Sequence, residues 1–218
     1  MDPVSVILGF LLGSIPSGLW IGRALGADLQ GSGSKNIGAT NAFRVLGPSW
    51  GAVVFFLDTA KGFIAAISPL ITAPEGVIAS SGMGLGPALI PSALAAGLAA
   101  IIGHMFSPWA GFKGGRGVAT SLGVFLGIAT LPTGIAFGIW VLLFVLSRRV
   151  SVGSIGAAIA YPFLLFWLAP AGPYRTVIGI VGAAVALLVV IRHIPNMKRL
   201  LSGTEPALFG AGAKGPKA

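Results

Sequence analysis

The sequence predicts an all-α fold, a polytopic transmembrane helix bundle with seven spans, its N-terminus outside and its C-terminus cytoplasmic. Three observations carry the prediction. Of 218 residues, 55% are hydrophobic and 9% are charged, whereas a soluble domain carries roughly 25% charged residues. The apolar residues come in long runs broken by short polar, glycine-rich segments. Lys and Arg gather on alternate segments between those runs, as cytoplasmic loops do.

The expected spans are 4–25, 49–71, 87–106, 118–130, 133–146, 154–168 and 174–191. A bilayer core asks for about 20 apolar residues per helix, fewer where a span is tilted or buried. The first run lacks a basic leader and a small-residue cleavage site, so it is read as a retained span. Residues 118–130 and 133–146 are short, and Leu131-Pro132 between them reads as a tight turn. If that break were only a kink, six spans would remain. With seven, one face receives Lys35, Arg44, Lys113, Arg116, Arg148, Arg149, Arg192, Lys198 and Arg199, and the other Arg175, Asp2 and Glu75. Seven spans also bring all three polar motifs to one face; six would strand the third across the membrane. Residues 1–202 read as one membrane domain. Residues 203–218, rich in Gly, Ala, Pro and Lys, read as a flexible tail.

Composition also excludes chemistry. There is no cysteine, and two histidines lie far apart among five acidic residues, so no metal site and no cofactor is expected. The net charge of +9 is the mark of cytoplasmic loops rather than of a nucleic-acid partner. Nothing in the chain implies an oligomer.

The first motif, residues 31–44, offers glycines, Ser34, Asn36, Gly38, Thr40, Asn41, Lys35 and Arg44. Such a loop can present backbone N–H groups and hydroxyls to an oxyanion, or be a plain interfacial loop with a topology signal. It has no Walker A spacing. The second, 112–120, sets Lys113, Arg116 and three glycines ahead of a helical run. It suits a phosphate at a helix N-terminus, or again a positive-inside loop. The third, 192–199, holds His193 and Asn196, which share a face if the helix continues past Pro195. His104 closes the third run, as support for the second motif or as a structural hydrogen bond. Asp58 and Lys61, spaced i, i+3 in the second run, read as a buried ion pair or a substrate contact. Neither histidine has a carboxylate at the offset of a His–Asp acyltransferase pair.

Together the motifs resemble the bacterial integral-membrane glycerol-3-phosphate acyltransferases, the PlsY family. Its Gly-Ser-x-Asn-x-Gly-Ala-Thr-Asn-x-x-Arg signature is met by Gly33, Ser34, Asn36, Gly38, Ala39, Thr40, Asn41 and Arg44. Its Gly-His and Phe-Lys-Gly-Gly-Lys-Gly-Val-Ala-Thr segments are met by Gly103, His104 and residues 112–120, with Arg116 in place of a common lysine. Its third motif is met by Arg192, His193, Asn196, Arg199, Leu200, Leu201, Gly203 and Glu205. Asp58, Lys61 and Gly62 match as well, while Lys35 stands where glycine is common.

The resemblance implies a seven-helix enzyme of the bacterial inner membrane with its active site on the cytoplasmic face. It would move a fatty acyl group from acyl phosphate to the 1-hydroxyl of glycerol 3-phosphate, giving lysophosphatidic acid for phospholipid synthesis without a metal. On that reading Arg44, Lys113 and Arg116 clamp phosphates, and Ser34, Thr40 and Asn41 hold the acyl-phosphate or oxyanion end. His193 and Asn196 orient the hydroxyl, with either His193 or a substrate phosphate oxygen taking its proton; Ser151 helps hold glycerol phosphate, and Asn36, Gly38, His104, Asp58 and Lys61 support. The competing class is a transporter for an organic phosphate. It would set polar groups along a midplane path, whereas these crowd one face.

Overall fold

The computed structural model describes residues 1–75 and 85–208. Among them every regular element is helical. Helices α1 (Pro3–Ser14) and α2 (Ser17–Ala24) form the first run, broken at Pro16. Asp2 caps α1, accepting from the amides of Val4 and Ser5. α3 (Ala39–Leu46) lies in the first motif. α4 (Pro48–Ile67) is followed by one turn, α5 (Pro69–Thr72). Then come α6 (Ile90–Met105), α7 (Val118–Ile128), α8 (Thr130–Ser147), α9 (Val150–Leu168), α10 (Arg175–Arg192) and α11 (Ile194–Leu201).

Among the described residues, six helical stretches are long and apolar enough to cross a membrane: Pro3–Ala24, Pro48–Ile67, Pro87–Ala110, Thr130–Ser147, Val150–Leu168 and Arg175–Arg192. The seventh apolar helix, α7, has 11 residues and at 1.5 Å per residue is only about 16 Å long. The turn expected at Leu131-Pro132 lies instead at Ala129 (φ −142°, ψ 66°). Pro132 falls in the first turn of α8, where a missing N–H costs no intrahelical bond. Likewise α9 starts at Val150, ahead of the expected 154, because α8 ends on the left-handed Arg148 (φ 57°).

Close packing of α1 on α6 and of α4 on α7 builds the centre. A side chain on Gly62 or Gly123 would collide with the backbone of Thr120 or Thr59, so α4 and α7 touch backbone to backbone. A buried cluster including Ile101, Met105, Val124, Phe125, Leu165, Ile178 and Val185 ties α6, α7, α9 and α10 together. Large apolar side chains such as Leu146, Phe163 and Trp167 point outward, where lipid makes exposure favourable.

The break at Pro16 frees carbonyls inside the membrane, which must find donors. Ser107 Oγ donates to Ser14 O at 2.5 Å, and Lys61 Nζ donates to Ile15 O at 2.8 Å. Lys61 is also ion-paired with Asp58 at 2.8 Å, and Asp58 lies 3.7 Å from His104 Nδ1. All three side chains are buried. The pair therefore belongs to a network joining α1, α4 and α6. Asp58 and His104 also line the cavity described next.

Candidate active site

A cavity of about 350 Å³ opens between the three motifs and runs down between α4, α7, α8, α9 and α10. Its polar end is lined by Ser34, Asn36, Gly38, Thr40, Asn41, Asp58, His104, Arg116 and His193. Its other end is apolar, with Phe55, Phe125, Phe137, Trp140, Phe144 and Tyr161. The structure thus gathers all three motifs, and Arg44, Lys61, Lys113, Ser151 and Asn196 stand outside that lining.

In the first motif Asn41 is a brace. It is 1% exposed. Its amide donates to Leu29 O (2.9 Å) and Ser32 O (3.1 Å), and its Oδ1 accepts from Ser34 N (2.7 Å). Asn36 Oδ1 accepts from Gly38 N at 2.9 Å, shaping the turn into α3. Asn41 spends its whole amide on the loop, and Asn36 its oxygen. The hydroxyls of Ser34 and Thr40 find no partner among the described residues and are left for a ligand. Ala39 and Thr40 also open α3, where backbone N–H groups are free.

The second motif divides its backbone donors between structure and cavity. Gly114 N donates to Met105 O and Gly115 N to His104 O, at 3.2 and 3.1 Å. These N–H groups cap the end of α6 and are not free for phosphate. Both glycines are small because the loop lies against that helix: a side chain on Gly115 would strike the His104 ring. Arg192 clamps the same corner, donating to Met105 O (3.0 Å) and Gly115 O (3.1 Å) and lying over the Phe106 ring at 5.2 Å. The free donors come one step later. Gly117, at φ 84°, turns the chain into α7, and Val118 and Ala119 open that helix on the cavity wall. Arg116 faces the same space. Burial draws its pKa down to about 10, with Glu205 pulling the other way, so it stays cationic at neutral pH. Lys113 points outward, exposed.

In the third motif the helix ends at His193, so the shared face through Pro195 is not formed. His193 is 2% exposed. Its Nδ1 lies 2.8 Å from Val189 O. A carbonyl can only accept, so Nδ1 carries the proton and Nε2 keeps its lone pair. Burial pulls the His193 pKa down to about 4; the Val189 bond opposes this, Arg116 adds to it, and Glu205 opposes. The ring is neutral at pH 7. The orienting partner that the sequence could not supply is a backbone carbonyl.

Glu205 is the residue that sequence reasoning left out of the site. Its Oε1 accepts from Asn196 Nδ2 (2.6 Å) and Ser151 Oγ (2.8 Å), and its Oε2 from Arg199 Nε (2.7 Å). Burial alone would raise its pKa, but those hydrogen bonds and the Arg199 charge hold it below the usual carboxylate range. Arg149 Nε donates to Glu205 O, Arg44 to Pro206 O, and Leu208 N to Arg148 O. Residues 204–208, expected to lie in a loose tail, are therefore laced across the motifs, and Leu208 reaches the cavity wall. Residues 209–218 lie outside the described residues. Ser151, Asn196 and Arg44 are engaged by this strap. The burial of Arg44 lowers its pKa, with Glu205 opposing.

Residues 3–203 match the family model described as glycerol-3-phosphate acyltransferase. Among curated relatives, the glycerol-3-phosphate acyltransferase of Chlorobaculum tepidum is 41% identical over 227 residues, covering 94% of this chain and 96% of the relative. That of Synechococcus sp. (strain JA-3-3Ab) is 39% identical, covering 95% and 94%. The crystal structure of PlsY (YgiH), an integral membrane glycerol 3-phosphate acyltransferase in its glycerol 3-phosphate form, superposes with a TM-score of 0.81 at 36% identity, covering 96% of each chain. Its lysophosphatidic acid form gives 0.79 at 35% identity, covering 97% of each. With a family model and full-length relatives both matched, the chain belongs to the glycerol-3-phosphate acyltransferase family.

Proposed function

We infer that this protein is a multi-pass bacterial membrane enzyme that acylates glycerol 3-phosphate to lysophosphatidic acid, with acyl phosphate as donor. One observation carries the reading: a single cavity joins a cationic, donor-rich end to a deep apolar channel. That is the shape of a substrate pair with phosphate at one end and a fatty chain at the other. A transporter would not need the two joined in one cavity.

Phosphate sits against Arg116 and the N–H groups opening α7, with those of α3 and the hydroxyls of Ser34 and Thr40 across from it. Charge-assisted bonds and two helix termini favour an anion there. The same donors stabilise the oxyanion that develops when the acyl carbonyl is attacked. The 1-hydroxyl of glycerol 3-phosphate hydrogen-bonds to Nε2 of His193. Its oxygen bonds to the acyl carbon, the bond from that carbon to the phosphate oxygen breaks, and the hydroxyl proton ends on the departing phosphate. Asn196 and Ser151 act through Glu205, which fixes the strap over the third motif. Lys61, Asp58 and His104 hold the second motif from beneath. The acyl chain enters sideways, where exposed Ala52 and Phe137 edge the cavity.

Purified protein in detergent should convert acyl phosphate and glycerol 3-phosphate to lysophosphatidic acid in the presence of a metal chelator. Activity with acyl-CoA alone, and none with acyl phosphate, would overturn the donor assignment.

The topology we propose has seven embedded helices, an outside N-terminus and the active site facing the cytoplasm. It is supported by the Lys and Arg asymmetry and by the Arg192 contact with Gly115, which requires an even number of crossings between them. A reporter inserted after Gly117 should read as cytoplasmic; a periplasmic signal would sink this topology.

A further inference from the structure

Phe125, Thr133 and Tyr161 are the lining residues farthest from the polar motifs along their helices. Tyr161, mid-way along α9, is 8% exposed and Thr133, near the start of α8, is 3% exposed, two buried hydroxyls on membrane-spanning helices. Their oxygens are 2.9 Å apart. Thr133 Oγ1 already donates to Ala129 O at 2.7 Å, so the Tyr161 hydroxyl is the donor to Thr133. The relay leaves no hydroxyl proton unpartnered, which is what a polar pair in hydrocarbon requires. It also pins the Tyr161 ring. Phe125 from α7 meets that ring edge-on, centroids 5.2 Å apart. Three helices thus contribute to one stiff wall.

The channel leading to this wall is built to stay open. Ala136, Ala157, Ala158 and Ala186 line it and take up little room. Along one side Phe144, Trp140 and Phe137 stack in a ladder, with centroids 5.2 and 5.8 Å apart. Trp140 Nε1 is tied to Ser154 Oγ at 3.1 Å. The depth can be gauged from the helix. Tyr161 lies 11 residues beyond the start of α9 at Val150, about 16 Å at 1.5 Å rise per residue. Half of a hydrocarbon core of about 30 Å is close to that, so the channel is as deep as one leaflet, the length of a membrane lipid's own acyl chain.

We propose that Tyr161, locked by Thr133 and buttressed by Phe125, is the end-stop that sets which acyl-chain lengths this enzyme accepts. The inference rests on the reading that the cavity holds the acyl chain of the donor. A chain that stops short of the ring leaves apolar surface unburied. A longer one must bend or lift its acyl phosphate out of register with Arg116 and His193. Because the ring is pinned from two sides, it cannot swing aside to admit extra methylenes.

The test is turnover by the purified full-length enzyme on acyl phosphates from lauroyl to arachidoyl, at saturating glycerol 3-phosphate. Tyr161→Ala should move the preferred length upward, and Tyr161→Trp should move it downward. Each methylene newly seated or excluded should change kcat/KM by roughly fourfold, the equivalent of about 0.8 kcal/mol per buried CH₂. Thr133→Val keeps the shape but removes the acceptor for the Tyr161 hydroxyl, and should flatten the length profile without a shift of its centre. KM for glycerol 3-phosphate should be unchanged throughout, because none of these residues lies at the polar end. If Tyr161→Ala does not fold, Tyr161→Leu and Tyr161→Trp decide by the same shifts. Normal lysophosphatidic acid formation with an unchanged length profile in every variant overturns the end-stop. Failure of the wild-type enzyme to use any acyl phosphate overturns the underlying donor reading instead.

Discussion

Arg116→Ala should lower kcat/KM for acyl transfer by about 10- to 150-fold, the equivalent of losing one charge-assisted hydrogen bond worth roughly 1.5–3 kcal/mol. Arg116 is the cation on the cavity wall, beside the N-terminus of α7. Its guanidinium can bridge phosphate oxygens in a fixed plane, which a lysine cannot do. Arg116→Lys should therefore recover only part of the rate. Lys113→Ala is the informative contrast. Its side chain is exposed and outside the cavity lining, so its effect should stay within about threefold and shrink with added salt, as surface charge effects do. The measurement is steady-state kinetics on both variants at two ionic strengths. Equal losses at Arg116 and Lys113 would mean that the diffuse positive face, and not a built phosphate site, supplies the binding.

That contrast follows from what the sequence could and could not convey. The apolar runs were legible as helices because hydrophobic length is a strong signal. Their ends were less so. Pro132 looks like a break in a string of letters, yet the third position of a helix tolerates it, and the chain breaks at Ala129 instead. Pro195, by contrast, does follow a real helix end, at His193. The chemistry was legible where polar residues crowd among glycines: Ser34, Thr40, Arg116 and His193 all reach the cavity. The use of the second motif's glycines is not visible in their spacing. Gly114 and Gly115 are small so that the loop can lie on α6, and their amides are consumed there. Such use depends on which backbone lies opposite, and spacing does not encode it.

Glu205 escaped for a related reason. Glu205 matches the third motif, but the motif alone does not say what the acid holds. Its partners Ser151, Asn196 and Arg199 converge from two segments. The usable hints were its place in the third motif and its charge, one carboxylate six residues after Arg199 on a face crowded with cations. The carboxylates missing near both histidines show the same limit. Asp58 reaches to 3.7 Å from His104 across the bundle, and His193 takes a carbonyl from its own helix as its partner.

His193→Gln should retain turnover within about tenfold of wild type, and His193→Ala should lose on the order of 100-fold. The expectation follows from the hydrogen bonds at the ring. Nδ1–H is committed to Val189 O, and Nε2 offers a lone pair. A glutamine can imitate both, donating through its amide nitrogen and accepting through its oxygen. It cannot serve as a base. If His193 aligns the attacking hydroxyl while phosphate takes the proton, the Gln variant keeps most of the rate. If His193 is itself the general base, both variants should lose about 10²–10⁴, the usual span for acid–base catalysis. The pH profile separates the cases independently. With its pKa pulled down to about 4 by burial, His193 is neutral from pH 5.5 upward. It becomes charged only as pH falls through that value, which is when its acceptor role is lost. Wild type and the Gln variant should thus have superimposable profiles between about pH 5.5 and 8, and only wild type should show an added loss towards pH 4. Near-complete inactivation of a folded, substrate-binding Gln variant would reject the aligning role and make His193 the base.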